Sequence, residues 1–186
     1  MNISASRYCQ VPFPRYRFLP GRHPHPTAHP DGHSYHAPGD SPAAVEFKPA
    51  DQWRESVDYL YGCDLYNHGY WWEAHEAWEG LWHLVDKEDP QGQFLQGLIQ
   101  VTACHLQLQQ EHLRGVQRLR NSSAGYIDKV LARIDAERFM GLAVRSWIAE
   151  VREYYEVVLA HTPPSPAHDD KRYPYILLQD ASRLVI

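Results

Sequence analysis

Most of the 14 prolines of this 186-residue chain stand before residue 50, and no other feature limits its folding options as much. Each proline fixes its own φ, removes an amide donor and pushes the preceding residue towards extended backbone. Runs such as Pro12-Phe13-Pro14-Arg15-Tyr16 and Pro20-Gly21-Arg22-His23-Pro24-His25-Pro26 therefore exclude a helix. Residues 1–50 read as an extended, Pro/His-rich arm. Its aromatics, Tyr8, Phe13, Tyr16, Phe18 and Tyr35, are too numerous for a solvated linker, so part of the arm is expected to dock.

From Asp51 the apolar residues recur at helical spacing. Trp53, Val57, Leu60, Tyr61 and Leu65 fall on one face of a first helix that ends at Asn67-His68-Gly69, where glycine accepts left-handed backbone without cost. A second helix starts at about Tyr70, and Asp89-Pro90 followed by Gly92 closes the hairpin. A third helix, from about Gln93 to His112, carries two apolar faces, one with Phe94, Leu98, Val101, His105 and Leu108 and one with Leu95, Ile99, Thr102 and Leu106. It should therefore pack on more than one neighbour. A fourth helix carries Val116, Leu119, Ile127, Val130, Leu131 and Ile134, and a fifth spans about Leu142 to Leu159. Thr162-Pro163-Pro164-Ser165-Pro166 then stops the helical pattern, and Tyr173 to Leu178 reads as an extended tail on the surface. The fold class is all-α: a compact bundle of about five helices over residues 51–162, flanked by the arm and by a tail over 163–186.

Charge narrows the function classes. Charged residues make up 22% of the chain, they are interspersed rather than clustered, and the formal charge is −5, which argues against nucleic-acid binding and against a polybasic membrane patch. No apolar run approaches the roughly 20 residues of a membrane span, and no signal-peptide pattern opens the chain. Cys9, Cys63 and Cys104 are odd in number and lack C-x-x-C spacing, so they read as reduced thiols in a cytoplasmic protein.

The second helix carries the chemistry. At 100° per residue, Trp71, His75, Trp78 and Trp82 share one narrow stripe, with Glu76, Glu79 and His83 beside it. Glu73 is expected to point away from both stripes, in the first turn, where a carboxylate favours the helix dipole. An imidazole and a carboxylate at i and i+4 can hold one divalent metal, and a carboxylate between them can act as base for a bound water. Here those are His75, Glu79 and Glu76. A catalytic zinc takes three protein ligands, so a third is required; His105, central on the next helix, is first choice, and His25 and His33 of the arm come next. The bland alternative is a hydrogen-bonded His75–Glu pair inside an aromatic core. Gln93, Gln96, Gln100 and Gln107 form an uncharged strip that is either solvated or a wet partner surface.

The stretch from Tyr66-Asn67-His68-Gly69-Tyr70-Trp71-Trp72-Glu73-Ala74-His75-Glu76-Ala77-Trp78-Glu79-Gly80-Leu81-Trp82 to Gln96-Gly97-Leu98-Ile99-Gln100-Val101-Thr102-Ala103 resembles the signature of the family called domain of unknown function 309, over roughly residues 54–120. The arm, with Pro24-His25-Pro26 and Gly32-His33-Ser34, resembles extensions on some members. The resemblance implies a small all-helical bundle, found in bacteria and archaea, with no established activity. His83 stands where many members have Arg.

Two functional readings of different class remain. One is a binding or interaction module whose core is organised by Trp71, His75, Trp78, Glu79 and His105. The other is a metal-binding protein or metal-assisted hydrolase with His75, Glu79 and His105 as ligands and Glu76 as base. Trp71, Glu73, Trp78, Trp82 and Gln100 are the candidate ligand-binding residues around that centre. The partner is then a small molecule or a protein, and self-association is compatible with both readings.

Overall fold

The computed structural model describes residues 7–40, 43–160 and 173–179. Among them are a short 3₁₀ helix, Ala50–Glu55, and five α-helices: α1 (Val57–Asn67), α2 (Trp71–Trp82), α3 (Pro90–Gln109), α4 (Leu113–Leu131) and α5 (Val144–Ala160). Each packs chiefly on its neighbour in sequence, α1 on α2, α2 on α3, α3 on α4 and α4 on α5, so the molecule is an all-α bundle built from local hairpins. The described residues form no β-sheet, only isolated bridges joining Leu142 to Phe139 and to Leu178.

The turn residues act as their chemistry requires. Gly69 ends α1 at φ 76°, and Pro90 opens α3 at a position where its missing amide is not needed. α3 is covered on two sides, as its two apolar faces predict. Its Gly97 lets α4 approach so closely that a β-carbon there would lie 2.6 Å from Ile127.

α1 departs from the expected amphipathic helix. Trp53 lies in the 3₁₀ helix instead, Val57 is exposed, Tyr61 is half-buried, and Tyr59, Leu60, Cys63, Asp64, Leu65, Tyr66 and Asn67 are all buried. The physical reason is that α1 is wrapped: α2 packs along it, Tyr59 and Tyr66 meet Phe94 and His105 of α3, Tyr66 meets Trp147 of α5, and the arm and the tail cover further sides.

The arm is held by backbone capture. Asp64, wholly buried, accepts hydrogen bonds from the amides of Tyr8 (2.7 Å) and Cys9 (3.1 Å), and Arg7 Nε lies 3.4 Å from the same carboxylate. Of the arm aromatics, Tyr8 and Phe18 are buried and Phe13 packs on the core, whereas Tyr35 is exposed.

The tail corrects the expectation of an extended segment lying on the surface. Tyr173, Ile176 and Leu178 are buried, and Asn67 clasps Ile176 through paired bonds of 2.8 Å to its amide and carbonyl. The hydroxyl of Tyr8 donates to the carbonyl of Ile176 (2.9 Å) and accepts from the amide of Leu178 (3.0 Å), which ties arm to tail across α1. The proline run 163–166 lies outside the described residues. Cys9, Cys63 and Cys104 are free and buried.

Candidate functional site

α2 and α3 run antiparallel, so the residue facing a given α2 position is fixed by register. Trp71 meets His105, their rings stacked at 4.4 Å and 13°, and one turn further along His75 meets Thr102. The expectation that His105 would face His75 is thus one helical turn out of register. His105 is buried, with Nε2 3.2 Å from the Tyr66 hydroxyl and its ring against Tyr154, Tyr155 and Tyr173.

His75, Glu76 and Glu79 do converge: one ligand-type atom from each lies within 4.8 Å of the other two, and among the described residues no further His, Cys, Asp or Glu joins them. His75 Nε2 stands 4.0 Å from a Glu79 oxygen, with the imidazole one-quarter exposed and the Glu79 side chain 40% exposed. Thr102 Oγ1 lies 3.4 Å from Nδ1 and already donates its own hydrogen to the Ile99 carbonyl at 2.7 Å. The Ile99 carbonyl itself faces the imidazole as an acceptor. With its hydroxyl hydrogen on the Ile99 carbonyl, Thr102 can only accept from Nδ1; a neutral imidazole that donates there carries its lone pair on Nε2, on the side of Glu79.

Electrostatics sharpen this. Burial lowers the His75 pKa below its ordinary value, more than the nearby Glu79 and the Ile99 carbonyl raise it, which favours the neutral ring. Partial desolvation, followed by the like charges of Glu79 and Glu73, raises the Glu76 carboxyl. In that tautomer Nε2 and the Glu79 oxygen are two acceptors facing each other.

The remaining candidates have other partners. Glu73, expected to point away in a dipole role, is buried; its Oε1 accepts from the amide of Phe18 (2.8 Å) and pairs with His33 Nε2 (2.9 Å), because the docked arm passes over the start of α2. This places His33 on Glu73 rather than on the cluster. His25 packs against Phe18 and Trp72. Trp71 and Trp78 are core residues; the Trp78 indole donates to the Tyr59 carbonyl (3.3 Å) and presses on Gly62. Trp82 is half-buried beneath the Lys87 ammonium, 4.0 Å from its ring centroid. Gln100 is half-buried on α3, and Gln93 departs from its solvated strip by being buried with its amide on the Lys87 carbonyl.

Sequence reasoning missed Thr102, Asp64 and the arm-facing role of Glu73. The first was recoverable, since pairing Trp71 with His105 in an antiparallel hairpin forces His75 opposite residue 102.

The fold and the cluster together define an all-α bundle with a His/Glu group on its second helix. Residues 59–119, which hold α1 from Tyr59, all of α2 and α3, and the start of α4, match the family model described as Domain of unknown function (DUF309). No curated protein and no solved structure matches the chain. Among the described residues, no helix is long and apolar enough to cross a membrane.

Proposed function

We propose that this domain binds a divalent cation through His75, Glu76 and Glu79. The supporting observation is the 4.0 Å gap between His75 Nε2 and the Glu79 carboxylate, two ligand-type atoms that one cation would bridge. Two ligand bonds of about 2.1 Å span such a gap, and one imidazole with two carboxylates suits zinc, manganese or ferrous iron. The set comes from a single helix face with exposed edges, which leaves room for water or a second ligand. Water held on the cation's open side is then activated by the cation itself, and hydrolysis is the reaction class that follows.

The test is titration of tag-free protein with Mn²⁺ and Zn²⁺ by calorimetry, with elemental analysis of the purified protein. One cation per chain, lost in both His75→Ala and Glu79→Gln variants that remain folded, is expected. Absence of stoichiometric binding for either metal, or binding undiminished by both substitutions, removes the reading. What then stands is the interaction module, favoured by the burial of Trp71, Trp78 and His105, which makes these residues core.

A further inference from the structure

The docked arm carries a second chemical centre, which shares no residue with the His75 cluster. His33 stands between a hydroxyl and a carboxylate: Nδ1 lies 2.8 Å from Ser34 Oγ, and Nε2 lies 2.9 Å from Glu73 Oε1. The side chains of His33 and Glu73 are only 3% and 4% exposed, whereas Ser34 is half-buried.

Each of the three groups is also held from outside the trio. Glu73 projects from the first turn of α2, and its Oε1 accepts the Phe18 amide at 2.8 Å, which fixes the carboxylate against the arm. The His33 ring packs on Tyr16 at 4.6 Å and edge-on to Trp72 at 6.3 Å, while its own amide donates to the Tyr16 hydroxyl at 3.3 Å. The Ser34 amide donates to the Pro26 carbonyl at 3.0 Å and so closes the loop over residues 26–34. Glycine is required at 32 in that loop, because a β-carbon there would lie 2.1 Å from the same carbonyl oxygen.

An imidazole so placed activates a hydroxyl. In its ionised form Glu73 can only accept, so a neutral imidazole that donates to it from Nε2 turns its Nδ1 lone pair towards the Ser34 hydroxyl. The buried negative charge then stabilises the imidazolium that forms when the hydroxyl gives up its proton, and it does so more strongly than it would in water. We propose that Ser34 is a nucleophile for acyl transfer, with His33 as its general base, Glu73 as the positioning residue and a small carboxylic ester as the substrate class. The hydroxyl proton passes to Nδ1 as Oγ bonds to the ester carbonyl carbon; the bond from that carbon to the alkoxide breaks, and the departing oxygen takes the proton from Nδ1. Water then attacks the acyl-serine, its proton passing through Nδ1 to Oγ, which releases the carboxylic acid and restores the hydroxyl.

Diisopropyl fluorophosphate, which esterifies activated serines with loss of fluoride, is the probe. It is applied to the full chain in EDTA, so that a cation at His75 plays no part, and peptide mass spectrometry locates the adduct. An adduct on Ser34 is expected, formed about a hundredfold or more faster than on the same serine in the urea-unfolded chain. Ser34→Ala should abolish it together with turnover of p-nitrophenyl acetate, and His33→Gln should slow it about a hundredfold. Glu73→Gln keeps an acceptor for the Phe18 amide and for Nε2 but loses the charge, so labelling should slow about tenfold or more while Arg15 and Arg17 stay protected from trypsin. Where a substitution releases the arm, the folded against unfolded comparison on the wild-type chain decides. No adduct, an adduct only at another residue, labelling of Ser34 no faster than in urea, or an undiminished rate in His33→Gln with the arm docked overturns the inference.

Discussion

Replacing Asp64 by alanine tests the claim that the arm is an integral part of the fold. The Asp64 carboxylate is wholly buried and accepts from two amides, those of Tyr8 and Cys9, with Arg7 alongside. Hydrogen bonds to a charged acceptor contribute about 1.5–3 kcal/mol each, and buried amides left unpaired carry a comparable cost. Relief of the buried charge offsets part of this, and the Arg7 contact counts for little because that side chain is one-third exposed. The net loss expected for Asp64→Ala is about 3–4 kcal/mol, a large share of the roughly 5–15 kcal/mol that stabilises a domain. At about 2–4 °C per kcal/mol for a chain of this size, the melting temperature should fall by roughly 10 °C. Asp64→Asn, which keeps one acceptor oxygen, should lose about half as much. Urea titration followed by circular dichroism gives the free energy, and limited trypsin digestion at Arg15 and Arg17 reports release of the arm. A loss below about 1 kcal/mol, with the arm still protected, would refute the argument that carboxylate capture holds it.

Three further outcomes are expected. Gly62→Ala places a β-carbon 2.2 Å from the Trp78 indole nitrogen, so overpacking of about 1–3 kcal/mol should outweigh the roughly 1 kcal/mol that alanine gains in a helix, and a raised urea midpoint would contradict this. Thr102→Val removes the hydroxyl beside His75 Nδ1 while keeping the shape; Mn²⁺ affinity should drop about tenfold and Thr102→Ser should restore it, whereas an unchanged titration would show that the hydroxyl does not orient the ring. Burial holds the His75 pKa below its unfolded value of about 6.5, so unfolding takes up a proton at acid pH; this contribution is nil where both states are neutral, and stability declines as pH falls from about 6.5 through the folded value. Urea midpoints of wild type and His75→Gln across pH 7.5 to 5 should therefore converge as the pH falls, and parallel curves would exclude this assignment.

The bundle was legible in local pattern because its causes are local. Apolar spacing in 93–108, the Gly69 stop and the Pro90 start each specify backbone within a few residues, and the hairpin pairing of neighbours in sequence follows from short connections. His75, Glu76 and Glu79 were equally legible, since one helix sets their spacing whatever surrounds it. Register between helices was not, for it is a property of two surfaces fitting together; a slip of one turn exchanges His105 for Thr102 opposite His75. Nor did periodicity reveal that α1 would be wrapped. Asp64 and Asn67 look like solvent-facing residues until the amides of Tyr8 and Cys9 and the backbone of Ile176 arrive from 55 to 109 positions away. Glu73 is the same case, its carboxylate turned into the interior by the Phe18 amide and His33. Composition could show that the arm was too aromatic to stay in water. Which buried acceptors would receive it was decided only by tertiary packing, because a hydrogen bond between segments so far apart leaves no periodic trace in either of them.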